Sequence, residues 1–563
     1  MIVIGTHNND VAITETSPDW ILIGYIVCVS IIYCIISGRR FFNFDEFQVM
    51  YVSAGIIRKG TLYADEFGNH FPLANFIMGF PCRIVGFDAA VLIIARYVIL
   101  ALNGIMLLYA YRIGSLLWSR RAGFLAVSMV LSSFVFLEKG IEIRHDVFNT
   151  LFNIMGIYYG IIYLKRRSSR DLLVSALCFG MAAASTQKAF VMIAGFLFGL
   201  VIYLLHERDY NSIRKMLLGY VLICPIPIVG CLIFLVCIGG DSLDAFLQHA
   251  VGNVIARFAP LTKGVYPFPY KRMELFQTLF LANPLFYVLG IGAIVSTLSI
   301  RRERGSKKVI IGICAAVGLA FYLTSKRPFF QTFLPVIPLL AILGGGLLSN
   351  IWDSLAEWKA VPRSIVGVLC LLLLLFLPMK GVSSRIRIDK RFEKALANTA
   401  FCVENLGKED KVLCFTQNQI FFDSLMKIRN EECGESIYDF DVDCFERKMI
   451  ESQCKVVIND YRTQLLGQEI KRRIAENYVR TKTGDILIPG FQIPPRRVIF
   501  KRIWIKGTYY SPTHSLEVDG KSLDEKIIPL KQGSYSFKNE TDRPVTLVYL
   551  FDPDSLKRDL EIL

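Results

Sequence analysis

Residues 20–47 read WILIGYIVCVSIIYCIISGRRFFNFDEF: an apolar run closed by two arginines, then an acid pair. Between Trp20 and Ser37 there is no Asp, Glu, Lys, Arg or His. A stretch of that length and character is long enough to cross a hydrocarbon layer as one helix. No Lys or Arg precedes it, and no small-residue cleavage site follows, so it reads as an uncleaved first span and not as a signal peptide. The carboxylates Asp45 and Glu46 then stand just past the membrane boundary. Two adjacent acids are costly there unless they are solvated, paired or coordinating.

Working outward, apolar windows recur near 20–38, 89–111, 123–138, 147–164, 172–187, 189–205, 216–238, 277–299, 309–324, 329–349 and 364–378. About eleven transmembrane helices are expected. The composition agrees: 53% of the 563 residues are hydrophobic and the mean hydropathy is +0.45, which excludes an ordinary soluble protein. The formal charge of +15 does not mark a nucleic-acid binder, because the basic residues are spread between apolar spans. No nucleic-acid partner is expected.

Placement of the charges sets an orientation. The short loops after spans two, four, six, eight and ten carry about seventeen basic residues, from Arg112 to Arg363, against about five after spans three, five and nine. The positive-inside rule makes the first set cytoplasmic. The N-terminus is then cytoplasmic and the C-terminal domain lies outside, as do two long loops at 39–88 and 239–275. Arg39 and Arg40 oppose this orientation and are expected to have another role. In the first outer loop Phe47, Tyr51, Ala54 and Ile57 recur at helical spacing, the pattern of a helix lying along the membrane surface.

After Pro378 the sequence turns polar. Two domains are expected: 1–378 in the membrane and 379–563 outside it. Within the second, 379–496 reads as α/β, with a helix at 391–405 and strands at 411–415 and 455–459. Residues 497–563 read as a β-sandwich, with Asp519-Gly520 as a hairpin turn. Tyr509, Tyr510 and Tyr535 either stack on sugar or pack the sheet. Nine of the 14 cysteines fall in or beside apolar segments. The five in the C-terminal domain, Cys402, Cys414, Cys433, Cys444 and Cys454, lack metal-ligand spacing and read as free buried thiols.

Three groups can carry chemistry. Asp45 is placed to act as a general base, with a helix N-cap as the structural alternative. Glu142-Ile143-Arg144-His145-Asp146 packs four ionisable groups at a membrane boundary; Arg144 suits bidentate phosphate contact, and Asp146 either points into the bundle or caps a helix. Lys188, Lys326 and Arg327 stand where a lipid phosphate would sit, with snorkelling as the structural alternative. His70, in Gly68-Asn69-His70-Phe71-Pro72-Leu73, can pair with a carboxylate or a phosphate.

Taken in order, these pieces resemble the GT-C superfamily of polyprenyl-phosphate-sugar-dependent glycosyltransferases, in the branch of the lipid A aminoarabinose transferases and protein O-mannosyltransferases. The resemblance rests on Asp45-Glu46 after span one, Gly60-Thr61-Leu62-Tyr63, Phe71-Pro72-Leu73, Gly86 with Ala95-Arg96, Asp146, Gln187-Lys188, and Arg327 before Leu334-Pro335-Val336-Ile337-Pro338. It covers roughly residues 20–350. The chain departs from the branch at His70, often Lys there, and at Phe329-Phe330-Gln331-Thr332, where a Tyr often precedes Leu-Pro.

The resemblance implies a GT-C-like helical membrane domain and an inverting displacement from a polyprenyl-phosphate sugar, such as one on undecaprenyl phosphate. The acceptor is a lipid, glycan or protein on the outer side of a bacterial inner membrane. Asp45 and Asp146 would be catalytic. Glu46, Tyr63, His70, Arg144, His145, Lys188, Lys326 and Arg327 would bind substrate. No cofactor is certain, and a divalent cation between Asp45 and Glu46 is left open. The rival readings are a transporter or flippase of lipid-linked sugars, a surface polysaccharide ligase or polymerase, and a non-catalytic glycan-binding scaffold.

Overall fold

The protein is described from a computed structural model. It covers residues 20–40, 42–59, 70–86, 90–238, 243–244, 246–247, 272–299, 306–324, 329–355, 371–372, 374–376, 380, 390–407, 410–414, 441–459, 463–482, 485–513, 515–523 and 525–551. The membrane domain runs α1 (Trp20–Arg39), α2 (Phe44–Lys59), α3 (Leu73–Val85), α4 (Ala90–Leu117), α5 (Arg120–Ser132), a single π-helical turn at Phe136–Gly140, α6 (His145–Arg166), α7 (Ser169–Ser185), α8 (Ala189–His206), α9 (Tyr210–Ile223) and α10 (Ile226–Ile238). It continues with α11 (Arg272–Ala282), α12 (Pro284–Ser299), α13 (Lys308–Thr324) and α14 (Ile337–Leu355).

Among the described residues six helices are long and apolar enough to cross a membrane, or seven if the pair α11 and α12, bent by 103°, is one span. The expected eleven is not reached. Helices α5, α7 and α13 are shorter than a full crossing, and most of the 364–378 window lies outside the described residues. The protein is a multi-pass integral membrane protein. Its most enclosed span is α6, with 83% of its apolar window buried, whereas Tyr210–Cys237 has only 11% buried and faces outward. The helix that carries Asp146 is therefore central. Close approach is bought with small residues: a Cβ on Gly114 of α4 would meet the Gly123 backbone of α5 at 2.9 Å, and one on Gly345 of α14 would meet Ala126 of α5 at 2.7 Å.

The amphipathic stretch at 44–59 does form a helix, α2, but it does not lie on the surface. Phe47, Val49, Met50, Tyr51, Val52 and Ala54 are all buried. One side joins the main core and Val52 packs with Phe71, Leu235 and Phe246. Apolar residues on several sides of a helix indicate enclosure, not a membrane surface.

The C-terminal domain runs α15 (Lys390–Asn405), β1 (Lys411–Leu413), α16 (Val442–Glu451), β2 (Cys454–Ile458), α17 (Gln468–Asn477), β3 (Tyr478–Arg480) and β4 (Ile486–Ile493), of which α15, β1 and β2 are the helix and two strands expected from the sequence. They are followed by β5 (Val498–Ile503), β6 (Gly507–Tyr510), β7 (Leu516–Val518), β8 (Lys521–Leu523), β9 (Ile527–Leu530), β10 (Gly533–Asn539) and β11 (Val545–Leu550). The expected division at 496/497 is not a boundary, because one seven-stranded sheet, β1-β2-β4-β11-β6-β9 with β3 beside β4, draws strands from both sides of it. A second sheet, β5-β10-β7-β8, shares its core, with Phe491 against Phe537 at 5.0 Å. The Asp519-Gly520 hairpin turn is present, both residues at positive φ (50° and 77°).

Tyr509 packs the sheet: it is buried, donates to the Ile505 carbonyl at 2.7 Å and lies edge-on to Tyr549. The hydroxyl of Tyr535 accepts from the Lys531 amide. The cysteines correct the sequence reading in one place. Cys402, Cys414 and Cys454 are buried and in no disulfide, but Cys444 is disulfide-bonded, to a partner outside the described residues.

Candidate active site

The acid pair after span one is split by the start of α2. Asn43, not Asp45, caps the helix: its side chain accepts from the Asp45 amide at 3.4 Å, and Glu46 reaches back to the Asn43 amide at 2.8 Å. This reciprocal capping box aims consecutive side chains differently. Glu46 turns inward and is wholly buried. Arg96 of α4 clamps it in a fork, Nε to Oε1 and Nη2 to Oε2 both at 2.7 Å, and the Ile143 amide adds a bond at 3.2 Å. Arg96 in turn donates to the carbonyls of Ser37 and Arg40 and lies over the Phe42 ring at 3.8 Å. Both oxygens of Glu46 are thus spent inside the protein. The expectation that Glu46 binds substrate or shares a cation with Asp45 is corrected. Among the described residues no group of three or more His, Cys, Asp or Glu side chains could hold a metal ion.

Asp45 turns the other way and keeps about a third of its side chain exposed, at 35%. Its partner is Arg144, Nη2 to Oδ2 at 2.5 Å. Arg144 precedes α6, and it also donates to Glu142 at 2.8 Å and approaches Asp146 at 3.8 Å. Asp146, on the first turn of α6, is a buried carboxylate held by Lys188 at 2.8 Å. It points into the bundle. Lys188 stands immediately before α8, and His70 lies between His145, ring to ring at 4.4 Å, and Thr186, Nδ1 to Oγ1 at 3.5 Å. The structure therefore joins Asp45, His70, Arg144, His145, Asp146 and Lys188, which come from four separate stretches of chain. Tyr63, Lys326 and Arg327 lie outside the described residues.

Behind this group is a second layer. Arg40 bonds Glu138 at 3.0 Å and Glu142 at 3.1 Å, and Lys139 bonds Glu142 at 2.8 Å. This is the other role expected for Arg40: it is buried in the network and is not a free topological charge. Burial alone would push the Glu142 carboxyl up; Lys139, Arg144 and Arg40 outweigh it and hold the group well below the usual carboxylate range. Burial would weaken the Arg144 cation, but Asp45, Glu142 and Asp146 keep it firmly protonated. The residues bearing Glu138 and Lys139 form the π-helical turn, a rare geometry frequent at functional sites.

Sequence reading missed Glu138, Lys139 and Arg96 as part of this constellation. The signal was there: an arginine among the apolar residues of a span needs a buried partner. Among the described residues the cluster balances five cations (Arg40, Arg96, Lys139, Arg144, Lys188) against five carboxylates (Asp45, Glu46, Glu138, Glu142, Asp146). Only Asp45 and Lys188 are appreciably exposed, so they are the members of the cluster that an incoming ligand meets first.

Comparison with known proteins gives a consistent picture. The family described as dolichyl-phosphate-mannose-protein mannosyltransferase matches residues 69–234. ArnT from Cupriavidus metallidurans, solved bound to undecaprenyl phosphate, superposes with a TM-score of 0.61 at 14% identity, covering 84% of this chain and 98% of that one. Its apo structure gives 0.59 at 14% identity, with coverages of 83% and 97%. The oligosaccharyltransferase AglB from Archaeoglobus fulgidus, in complex with an inhibitory peptide and a dolichol-phosphate, gives 0.54 at 10% identity, with coverages of 83% and 74%. No curated protein matches the chain. Identities this low carry the fold alone, and the matched segment contains His70, Arg144, His145, Asp146 and Lys188 of the cluster. The chain therefore resembles that mannosyltransferase family over residues 69–234 and shares the fold of ArnT and AglB.

Proposed function

We propose that the protein transfers a sugar from a polyprenyl-phosphate donor to a hydroxyl or amine acceptor on a lipid, glycan or protein, by a single inverting displacement. One observation carries this reading: Asp45 and Asp146, about a hundred residues apart in sequence, meet through Arg144, and Asp45 alone of the five carboxylates keeps an open face.

Asp45 takes the proton of the acceptor O–H or N–H. The freed lone pair attacks the anomeric carbon, and the bond from that carbon to the phosphate oxygen breaks. Its electron pair stays on the phosphate, which goes from one negative charge to two. The charge balance of the cluster suits this step. Protonating Asp45 leaves the described network one positive charge in excess as the phosphate gains its extra negative charge. It also releases Arg144 from its 2.5 Å contact with Asp45. A guanidinium freed in a dry site stabilises charge that develops only in the transition state. Lys188, at the exposed edge of the network, with Lys326, Arg327 and Tyr63 from the sequence, completes the proposed donor site. Because Glu46 is locked by Arg96, no metal-assisted step is assigned to the acid pair.

On this reading the site faces the extracytoplasmic side of a bacterial inner membrane, and the positive-inside pattern supports that side. The disulfide at Cys444 supports this, since such bonds persist in oxidising compartments. The test is a transfer assay with purified protein and a panel of undecaprenyl-phosphate sugars. Asp45→Asn is expected to lose transfer by about 100-fold or more, with melting temperature in detergent unchanged. Full activity in that variant would refute the assignment.

A further inference from the structure

One buried polar group near the cluster is left unused by this mechanism. Tyr322, near the end of α13, is only 1% exposed, and its hydroxyl has no hydrogen-bond partner among the described residues. A phenol shut away from water without a partner is destabilising. Phenylalanine would fill the same space against Phe333 (6.2 Å between rings) without that cost.

The packing of α13 on α8 says where the ring lies. A Cβ on Gly199 would meet Ile310, one on Gly195 would meet Cys314, and one on Gly318 would meet Met192. The two helices therefore run antiparallel with residue numbers summing to about 510, which puts Tyr322 level with Lys188, the lysine that holds Asp146. Asp146 is also among the charges that act on the Tyr322 hydroxyl. A second buried atom of the same cluster, His145 Nε2, is likewise without a hydrogen-bond partner among the described residues. Tyr287 is a useful control: it too has a buried, unpartnered hydroxyl, but none of the cluster's ion pairs or ring contacts involves it.

The chemistry of the neighbours selects the ligand group. A phenol donates and a carboxylate only accepts. A deprotonated phosphate only accepts and has no hydrogen bond to offer Asp146, whereas an alcohol can accept from the phenol and donate to the carboxylate at once. We infer that Tyr322 and Asp146 form a subsite for a hydroxyl of the transferred sugar, with Tyr322 as the donor. The inference rests on the glycosyl-transfer reading and assigns the sugar, not the lipid phosphate, to this end of the site.

The experiment compares wild-type protein with Tyr322→Phe and Tyr287→Phe. Transfer is measured with whichever undecaprenyl-phosphate sugar of the panel the wild type turns over, and binding is measured with undecaprenyl phosphate alone. Tyr322→Phe is expected to keep its melting temperature and its affinity for undecaprenyl phosphate, and to lose about tenfold or more in kcat/KM; Tyr287→Phe is expected to match wild type. An unchanged kcat/KM in Tyr322→Phe overturns the inference. So does a parallel loss of undecaprenyl phosphate binding, which would assign the hydroxyl to the phosphate. A wild type that transfers no sugar from the panel fails the underlying function instead, and is read separately.

Discussion

The two ends of the helix bundle both carry ion pairs, and they are built in opposite ways. At the end holding Asp45, Arg96 and Glu46 are fully buried, and Arg40, Glu138 and Glu142 are nearly so. At the other end Arg121 pairs with Asp353 at 2.8 Å and Arg167 with Asp209 at 2.7 Å, but these side chains are 33% and 61%, and 46% and 28%, exposed. Exposed pairs form because opposite charges happen to be near each other, and each adds little. Buried pairs cost several kcal/mol per ion to desolvate, and breaking one is worse than never having had it. Among the described residues ten charged groups are gathered at one end, where apolar residues would be at least as stable. That is the mark of a site kept for something other than stability.

This contrast can be tested by breaking each end. The largest effect is expected for Arg96→Met, which strands Glu46 in an apolar interior: a loss of roughly 3–5 kcal/mol, read as a large fall in melting temperature in detergent. Replacing both partners, as in Glu46→Leu with Arg96→Met, should recover much of it. If the single and double variants melt alike, Glu46 is not the buried charge described.

Next comes Arg144→Lys. It keeps the charge but loses the planar fork that reaches Asp45 and Glu142 together. Transfer should fall by about tenfold or more with folding preserved. Retained activity would show that charge alone suffices there.

A smaller effect separates Glu142 by pH. Its folded-state proton affinity is lowered, so its stabilisation is fully present above the ordinary value of about 4.3 and is lost only as pH falls through the lowered value. The melting gap between wild type and Glu142→Gln is therefore expected to stay constant from pH 7 to pH 5. It is expected to narrow as the pH is taken below about 4, and a gap that stays flat there would mean that Glu142 has the same proton affinity folded and unfolded. The smallest effect is expected at the exposed end: Asp353→Ala should change stability by less than about 1 kcal/mol. A shift comparable to that of Arg96→Met would erase the distinction between the two ends.

Much of the site was legible in the sequence because its members are the wrong residues for their surroundings. Asp45, Arg144, Asp146 and Lys188 all interrupt or bound apolar runs, and a charge there demands an explanation. Their order also matched a known superfamily. What was not legible was the division of labour inside the acid pair. Asp45 and Glu46 look equivalent as letters, and the capping box that turns one inward and the other outward depends on Asn43 and on Arg96, fifty residues away. The same limit applied to α2: its spacing predicted a helix correctly, but enclosure by Leu235 and Phe246 is a long-range fact. It applied again to β4, which pairs with β2 on one side and β11 on the other and so fuses two regions that composition separates.

The sequence by itself determined that this chain lies in a membrane and which charged residues are out of place, because hydrophobic length and the cost of a charge in hydrocarbon are local properties of the chain. Only the tertiary structure decided which of those charges neutralise one another and which are left facing outward. Pairing energy depends on distance and burial, and both are set by helices brought together from far along the chain.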